Sequence, residues 1–171
     1  MRVPPVDPLK PRRLRKAIME PFALTNAGRW FTIRVAPKID GTLGRASGGR
    51  LTSLPGIPML LLTHRGAKSG RTYVTPLLYF TDGDDAVVIA SNYGRERHPA
   101  WLANVKANPD VQLQARGRGG RYRARVAEPA ERDRLFELAK RLTRAYADYE
   151  RRTADERTIQ IVVLSPLDPA A

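Results

Sequence analysis

Leu60 to Val111 reads LLLTHRGAKSGRTYVTPLLYFTDGDDAVVIASNYGRERHPAWLANVKANPDV. Three apolar runs are separated by a basic, glycine-flanked turn, Gly66-Ala67-Lys68-Ser69-Gly70-Arg71, and by an acidic one, Asp82-Gly83-Asp84-Asp85. Strand, tight turn, strand, tight turn, strand is the direct reading. Such short turns make antiparallel pairing the economical topology. The third run opens into Ser91-Asn92-Tyr93-Gly94, and His98-Pro99-Ala100-Trp101 then starts a short helix. Backbone amides beside Lys68 and Arg71 suit an anionic group, so the stretch reads as a site for a phosphorylated, planar ligand.

Working outward, the spacing predicts strands near Met59–Thr63, Thr72–Thr81, Ala86–Ser91, Val111–Ala115, Arg121–Ala127 and Ile159–Leu164. Helices are predicted at Pro99–Ala107 and from Pro129 to about Tyr149. Six strands with little crossover suit a small barrel, in which closure removes exposed sheet edges. The first 56 residues differ in character. Pro4, Pro5, Pro8 and Pro11 predict an extended leader. Arg12–Met19 then puts Leu14 and Ile18 at helical spacing with cations opposite, and Pro21 ends that helix. A second helix, capped by Thr25 or Asn26, carries Trp30, Phe31, Ile33 and Val35. This basic amphipathic stretch suits either packing on the barrel or an anionic membrane surface through residues 1–38. The expected division is a basic N-terminal segment and linker over 1–56, a barrel domain over 57–166 and a tail over 167–171.

Composition narrows the chemistry. The 171 residues suffice for one domain with a substantial core, and they include no cysteine, which excludes disulfides and thiol catalysis. Two histidines make a zinc site an unpromising reading, and no metal is expected. No apolar run reaches the ~18–20 residues that cross a bilayer, and no secretory leader is visible, so a cytoplasmic protein is expected, with peripheral membrane contact left open. Thirty Lys plus Arg against 17 Asp plus Glu give a net charge of +13. That field attracts polyanions, anionic membrane or a highly charged small molecule without choosing among them.

The block resembles the deazaflavin-dependent nitroreductase family, split β-barrel proteins that use coenzyme F420. The matching residues are Gly66-x-Lys68-Ser69-Gly70-Arg71, Pro76-Leu77-x-Tyr79-Phe80, Asp82-Gly83-Asp84, Ala90-Ser91 and Pro99-x-Trp101-x-x-Asn104. Lys106-Ala107-Asn108-Pro109-x-Val111, Tyr146-x-x-Tyr149 and Arg157-Thr158-Ile159-x-Ile161-Val162-Val163 continue the match. The order and spacing carry it, since a lone K-S-G-R turn is common. The resemblance implies an α+β, mainly β, split barrel. It also implies hydride transfer from reduced F420 to a quinone, nitroaromatic or activated alkene.

It further implies that Lys68, Ser69, Gly70 and Arg71 hold the phosphate and tail. Pro76, Leu77 and Leu78, with Ile89, Ala90, Ser91 and Asn92, would lie along the deazaflavin ring, and Pro99, Ala100 and Trp101 beside it. Ser91, Tyr146 and Tyr149 are the candidates for contact with the reacting substrate. Each has a plainer reading: a solvated basic hairpin, a strand bulge at Pro76, a turn serine, a core tryptophan, a packed helix end. Leu78 and Thr143 stand where tyrosines can occur, and Asn92 where a cation can, so the pocket is expected to be poorer in hydroxyls and charge. His98 is expected to be a surface residue at a helix start. A related barrel with FMN is the alternative cofactor reading. A nucleic-acid-binding module has only the net charge and the run Arg116–Arg123 in its favour, and that run also reads as a hairpin turn. Dimerisation across the sheet is compatible with the fold but fixed by no residue.

Overall fold

The computed structural model describes residues 2–10 and 58–167. Six strands and three helices follow one another there: β1 (Met59–Arg65), β2 (Thr72–Asp82), β3 (Asp85–Ile89), a 3-10 turn at Asn92–Gly94, α1 (Ala100–Ala107), β4 (Asp110–Ala115), β5 (Arg118–Val126), α2 (Pro129–Leu142), α3 (Ala145–Thr153) and β6 (Ile161–Pro166). The strands close a barrel in the order β1-β2-β3-β6-β5-β4, and every pairing is antiparallel. β6 comes last in sequence yet slots between β3 and β5. The split-barrel fold implied by the resemblance is the fold observed.

Register decides which side chains face inward, because cross-strand partners share a face. Leu62 opposes both Thr75 and Leu113, Leu113 opposes Gly120, and Val88 links Tyr79 to Val162. The interior therefore holds Leu60, Leu62, Tyr79, Val88, Leu113, Tyr122 and Leu164, all buried. β3 and β6 are buried on their outer faces as well, at Val87, Ile161 and Val163. That accounts for their unbroken apolar sequences where a half-exposed strand would alternate. α2 covers this outer face of β6 with Leu135, Phe136, Ala139 and Leu142, a helical stripe of buried residues. Charge pairs fasten it: Arg125 of β5 to Glu131 at 2.5 Å, and Arg134 to Asp82 of β2 at 2.6 Å.

Several boundaries differ from the sequence reading. The long helix expected from Pro129 to Tyr149 is two, because Thr143 is extended (φ −156°, ψ 138°) and its hydroxyl accepts from the Ala145 N–H at 3.4 Å. A β-branched residue whose oxygen competes for a backbone donor is a weak link in a helix. β5 starts at Arg118, three residues earlier than expected, after a tight turn in which Arg116 and Gly117 have φ of 50° and 75°. β3 ends at Ile89 and β6 begins only at Ile161.

The leader is extended as expected, and it is seated on the barrel. The Val3 N–H donates to the Tyr122 hydroxyl at 3.0 Å, and the Tyr79 hydroxyl donates to the Pro4 carbonyl at 2.9 Å. The Val6 N–H reaches Thr81 Oγ1, and Val6 C=O accepts from the Thr81 N–H, both at 2.9 Å. Arg2 pairs with Asp84. These contacts place the leader at the β2–β3 turn, the end of the barrel opposite the basic β1–β2 turn, with Val3 and Val6 each 5% exposed. The helical segments expected at 12–19 and 25–38 lie outside the described residues. Among the described residues no helix is long and apolar enough to cross a membrane. Removing two buried methyl groups from each valine in a Val3→Ala/Val6→Ala variant should cost about 3 kcal/mol at ~0.8 kcal/mol per group. The check is a lower urea midpoint at unchanged slope; an unchanged midpoint would mean that the leader does not stay docked in solution.

Candidate active site

The basic turn sits at one mouth of the barrel. The Gly66 N–H donates to Arg71 C=O at 2.8 Å and the Gly70 N–H to Gly66 C=O at 2.9 Å, with Gly70 at φ 63°. Gly66 is buried, and a Cβ there would lie 2.4 Å from Ser69 Oγ and 2.8 Å from the Tyr73 ring, so no larger residue fits without displacing them. Ser69 Oγ meets the Tyr73 hydroxyl at 3.2 Å and accepts from the Arg71 N–H at 3.3 Å. The Lys68 and Ser69 N–H groups have no acceptor among the described residues. Arg65, Lys68, Arg71 and, on α1, Lys106 pair with no carboxylate there either. Exposed donors and uncancelled cations together make a cradle of the kind that suits an anion.

Next to it the sheet is open. β2 pairs with β3 only from Tyr79 to Asp82, so Thr72–Leu78 has no strand on that side among the described residues. The Tyr79 N–H points the other way, to Pro58 C=O at 3.1 Å. Since alternate residues address the same neighbour, Val74, Pro76 and Leu78 address the open edge. Pro76 has no N–H to lose and therefore costs nothing there. Residues 74–78 are half-buried. Across the gap the chain leaves β3: the Ala90 N–H bonds to Gln160 C=O at 2.9 Å, and Ser91 begins the 3-10 turn.

That turn is tightly constrained. Asn92, Tyr93 and Gly94 take φ of 48°, 58° and 70°, a conformation that non-glycine residues adopt at a cost. Gly94 lies against α3, where an added Cβ would be 3.0 Å from the Tyr149 ring and 3.2 Å from its Cα. Asn92 Nδ2 donates to Arg97 C=O at 2.8 Å, so this side chain serves the loop itself. The Ser91 hydroxyl has no partner among the described residues.

The candidates from α1 and α3 divide. Trp101 is 7% exposed and packs in the core with Leu102 and Val105, while Pro99 and Ala100 remain accessible. Tyr146 is 5% exposed with its ring 6.3 Å from Phe136. Tyr149 meets Tyr146 edge-on at 6.2 Å and is the more accessible of the two, against the Ser91 turn. Of the expected pair, Tyr149 is thus the one beside the Ser91 turn.

Two residues missed as site elements organise both loops. His64, 3% exposed, stacks on Tyr73 with ring centroids 5.9 Å apart. Its Nδ1 is 3.3 Å from Asn104 Nδ2 and its Nε2 is 3.0 Å from Thr75 Oγ1. Asn104 Oδ1 accepts from the Ala67 N–H at 2.9 Å, which fixes the amide and makes Nδ2 the donor to His64. His64 Nδ1 is therefore an acceptor and Nε2 carries the proton. Burial holds its pKa below the ordinary histidine value. Arg157 is the second, gripping the Ser91 loop from the far side through Ala90, Ser91, Arg95 and His98.

Residues 38–166 match the F420H2-dependent quinone reductase family. An F420H2-dependent quinone reductase of Mycobacterium tuberculosis (strain ATCC 25618 / H37Rv) is 34% identical over 133 residues, 75% of this chain and 88% of the relative. The solved F420-H2 dependent reductase FDR-A superposes with a TM-score of 0.58 at 34% identity, covering 63% of this chain and 94% of its own. A second structure, described as a domain-swapped dimer, gives 0.61 at 30% identity, covering 75% and 94%. The cradle fits the cofactor these names imply: free N–H groups and unpaired cations suit a phosphodiester and acidic tail, and the open edge of β2 suits a flat ring. The chain belongs to the F420H2-dependent quinone reductase family and is an oxidoreductase with coenzyme F420 as its cofactor.

Proposed function

We propose that this chain reduces quinones with F420H2, the phosphodiester held at the Gly66–Arg71 turn and the ring along the open edge of β2. The observation that carries this is the cradle itself, where the Lys68 and Ser69 N–H groups and the charges of Lys68 and Arg71 lack partners among the described residues, beside a strand edge unpaired among them. When bound, the cofactor supplies a hydride from C5 of its reduced ring. The protein's task is to orient the reactants and to stabilise charge. The Ser91 hydroxyl, without a partner among the described residues, donates to the acceptor oxygen as negative charge builds there. Tyr149 frames the acceptor side. Ala90, Pro99 and Ala100 bound the slot, and Trp101 supports it from the core. Nitroaromatics and activated alkenes present comparable electrophilic groups, but Leu78 makes the pocket apolar and favours bulky quinones over small polar nitro compounds.

Two measurements test the assignment. Replacing Lys68 or Arg71 with alanine should weaken F420 binding by roughly 1–3 kcal/mol, the scale of a charge-assisted hydrogen bond. The turnover with menadione at saturating F420H2 should hold, because such contacts are shared by ground and transition states. A dissociation constant unaltered in the double variant would remove the turn from the site.

The His64 network beneath the turn carries a pH signature. His64 titrates near 6.5 when unfolded and lower in the fold, so between those values the unfolded state binds more protons. Stability contributed by the network is complete above about pH 6.5 and is lost as the pH falls through the depressed folded value. Urea unfolding from pH 7.5 to 4.5 should show that slope, and His64→Gln should flatten it. His98, shifted in the same direction, and, toward the acid end, Glu131 and Asp110, held low by Arg125 and Arg123, supply the remainder. Equal slopes in the two proteins would leave His64 without a role in the pH dependence.

A further inference from the structure

Ser91 lies at the start of a ten-residue connection, 90–99, that contains no α-helix or β-strand and holds two non-glycine residues at positive φ. What holds this connection from behind is one guanidinium. Arg157 Nη2 donates to Ser91 C=O at 2.8 Å and to Arg95 C=O at 3.0 Å, and Nε donates to the same Arg95 carbonyl at 3.1 Å. Nη1 donates to Ala90 C=O at 3.4 Å and to His98 Nδ1 at 3.2 Å. Every acceptor is neutral, and no carboxylate pairs with Arg157 among the described residues. Burial lowers its pKa, yet a guanidinium remains charged in any working range. A charged donor to neutral acceptors makes strong hydrogen bonds, and the planar fork reaches carbonyls that a lysine ammonium could address only one or two at a time.

We propose that Arg157 is a positioning residue for the reaction: it fixes the Ser91 loop and holds His98 as the tautomer protonated on Nε2. Accepting at Nδ1 leaves the His98 ring proton on Nε2. Burial, then Arg157, then Lys106 all oppose a second proton. Arg157 sits between α3 and β6, whose own anchorage does not need it: β6 is paired on both sides, and α3 is packed through Tyr146. The fold therefore tolerates its loss, and the loop does not. The catalytic consequence rests on the reading of Ser91 as the donor to the acceptor; the loop and tautomer do not.

Arg157→Gln and Arg157→Lys separate these claims in the full-length protein. Without cofactor, the Gly94 and Arg95 amides, which bond to Ser91 C=O and Asn92 C=O, should exchange with solvent about tenfold faster in both variants, since only the full fork ties down both ends of the loop. The His98 titration should move up in Arg157→Gln and stay near wild type in Arg157→Lys, which keeps the charge. With cofactor, the single-turnover oxidation of F420H2 by menadione should slow about tenfold to a hundredfold, the cost of misplacing a contact by an ångström. F420 affinity should change by less than about threefold, because the anion cradle is untouched. Unchanged exchange and His98 titration in Arg157→Gln would overturn the clamp. Faster exchange with an unchanged single-turnover rate would overturn the positioning role. A wild-type protein inert toward F420H2 and every quinone would defeat the functional reading alone, because exchange and titration decide the clamp without cofactor. If Arg157→Gln does not fold, the exchange rates of Arg157→Lys decide it.

Discussion

β2 outruns its neighbour. It has eleven residues and β3 has five, and the two are joined only from Tyr79 to Asp82. A closed barrel normally abolishes edges; here the mismatch leaves seven residues of β2 paired on one side alone among the described residues. Where the partner strand leaves, the Ala90 N–H turns to Gln160 C=O, and the chain folds into the Ser91 loop. The slot is thus lined largely by backbone whose place is set by β1 and β6. Side chains can vary along it without moving its walls, and a proline is accommodated on the open edge.

Charge is distributed to the same end. The carboxylates that form ion pairs lie on the β2–β3 turn, β4, α2 and α3, as in Arg2–Asp84, Arg123–Asp110, Arg132–Glu150 and Lys140–Glu137. Exposed pairs of this kind contribute little stability. The cations around Gly66–Arg71 and Lys106 have no carboxylate partner among the described residues, although the Arg123–Asp110 pair lies at the same mouth, on the strand beside Arg65. Like charges held close in one turn repel, and an anionic ligand relieves that repulsion.

Much of this was legible in the sequence because it is local. Three strands joined by two short turns, glycine at the φ 63° position of the basic turn, and the alternation in β4 all depend on neighbours a few residues apart. The helix break at Thr143 was not legible, since threonine is tolerated inside helices and the competing hydroxyl bond appears only in the folded turn. Pro4 and Pro8 indicated an extended leader but not its partners, which lie about 75 and 119 residues away. Tyr146 and Tyr149 share a face as their spacing required, yet only the packing of Phe136 distinguishes the buried ring from the accessible one. His64 gave no signal: its partners are Thr75 across the sheet and Asn104 forty residues on. Arg157 was part of the matched pattern, but its contacts span 59 to 67 residues.

Both histidines of the chain do the same kind of work. Each accepts a hydrogen bond at Nδ1, His64 from Asn104 and His98 from Arg157, and each thereby helps secure one wall of the slot. An aspartate or glutamate would accept the same bond more strongly, but its negative charge would cancel part of the cationic field at this mouth. A lysine or arginine could not accept at all. A neutral imidazole fastens a loop without altering the charge of the site. Its pKa must then stay low: burial serves that end at His64, and burial first, then Arg157 and Lys106, at His98. The neutral fasteners therefore leave the cationic mouth uncancelled, and Lys106 there adds to burial and Arg157 in keeping His98 neutral.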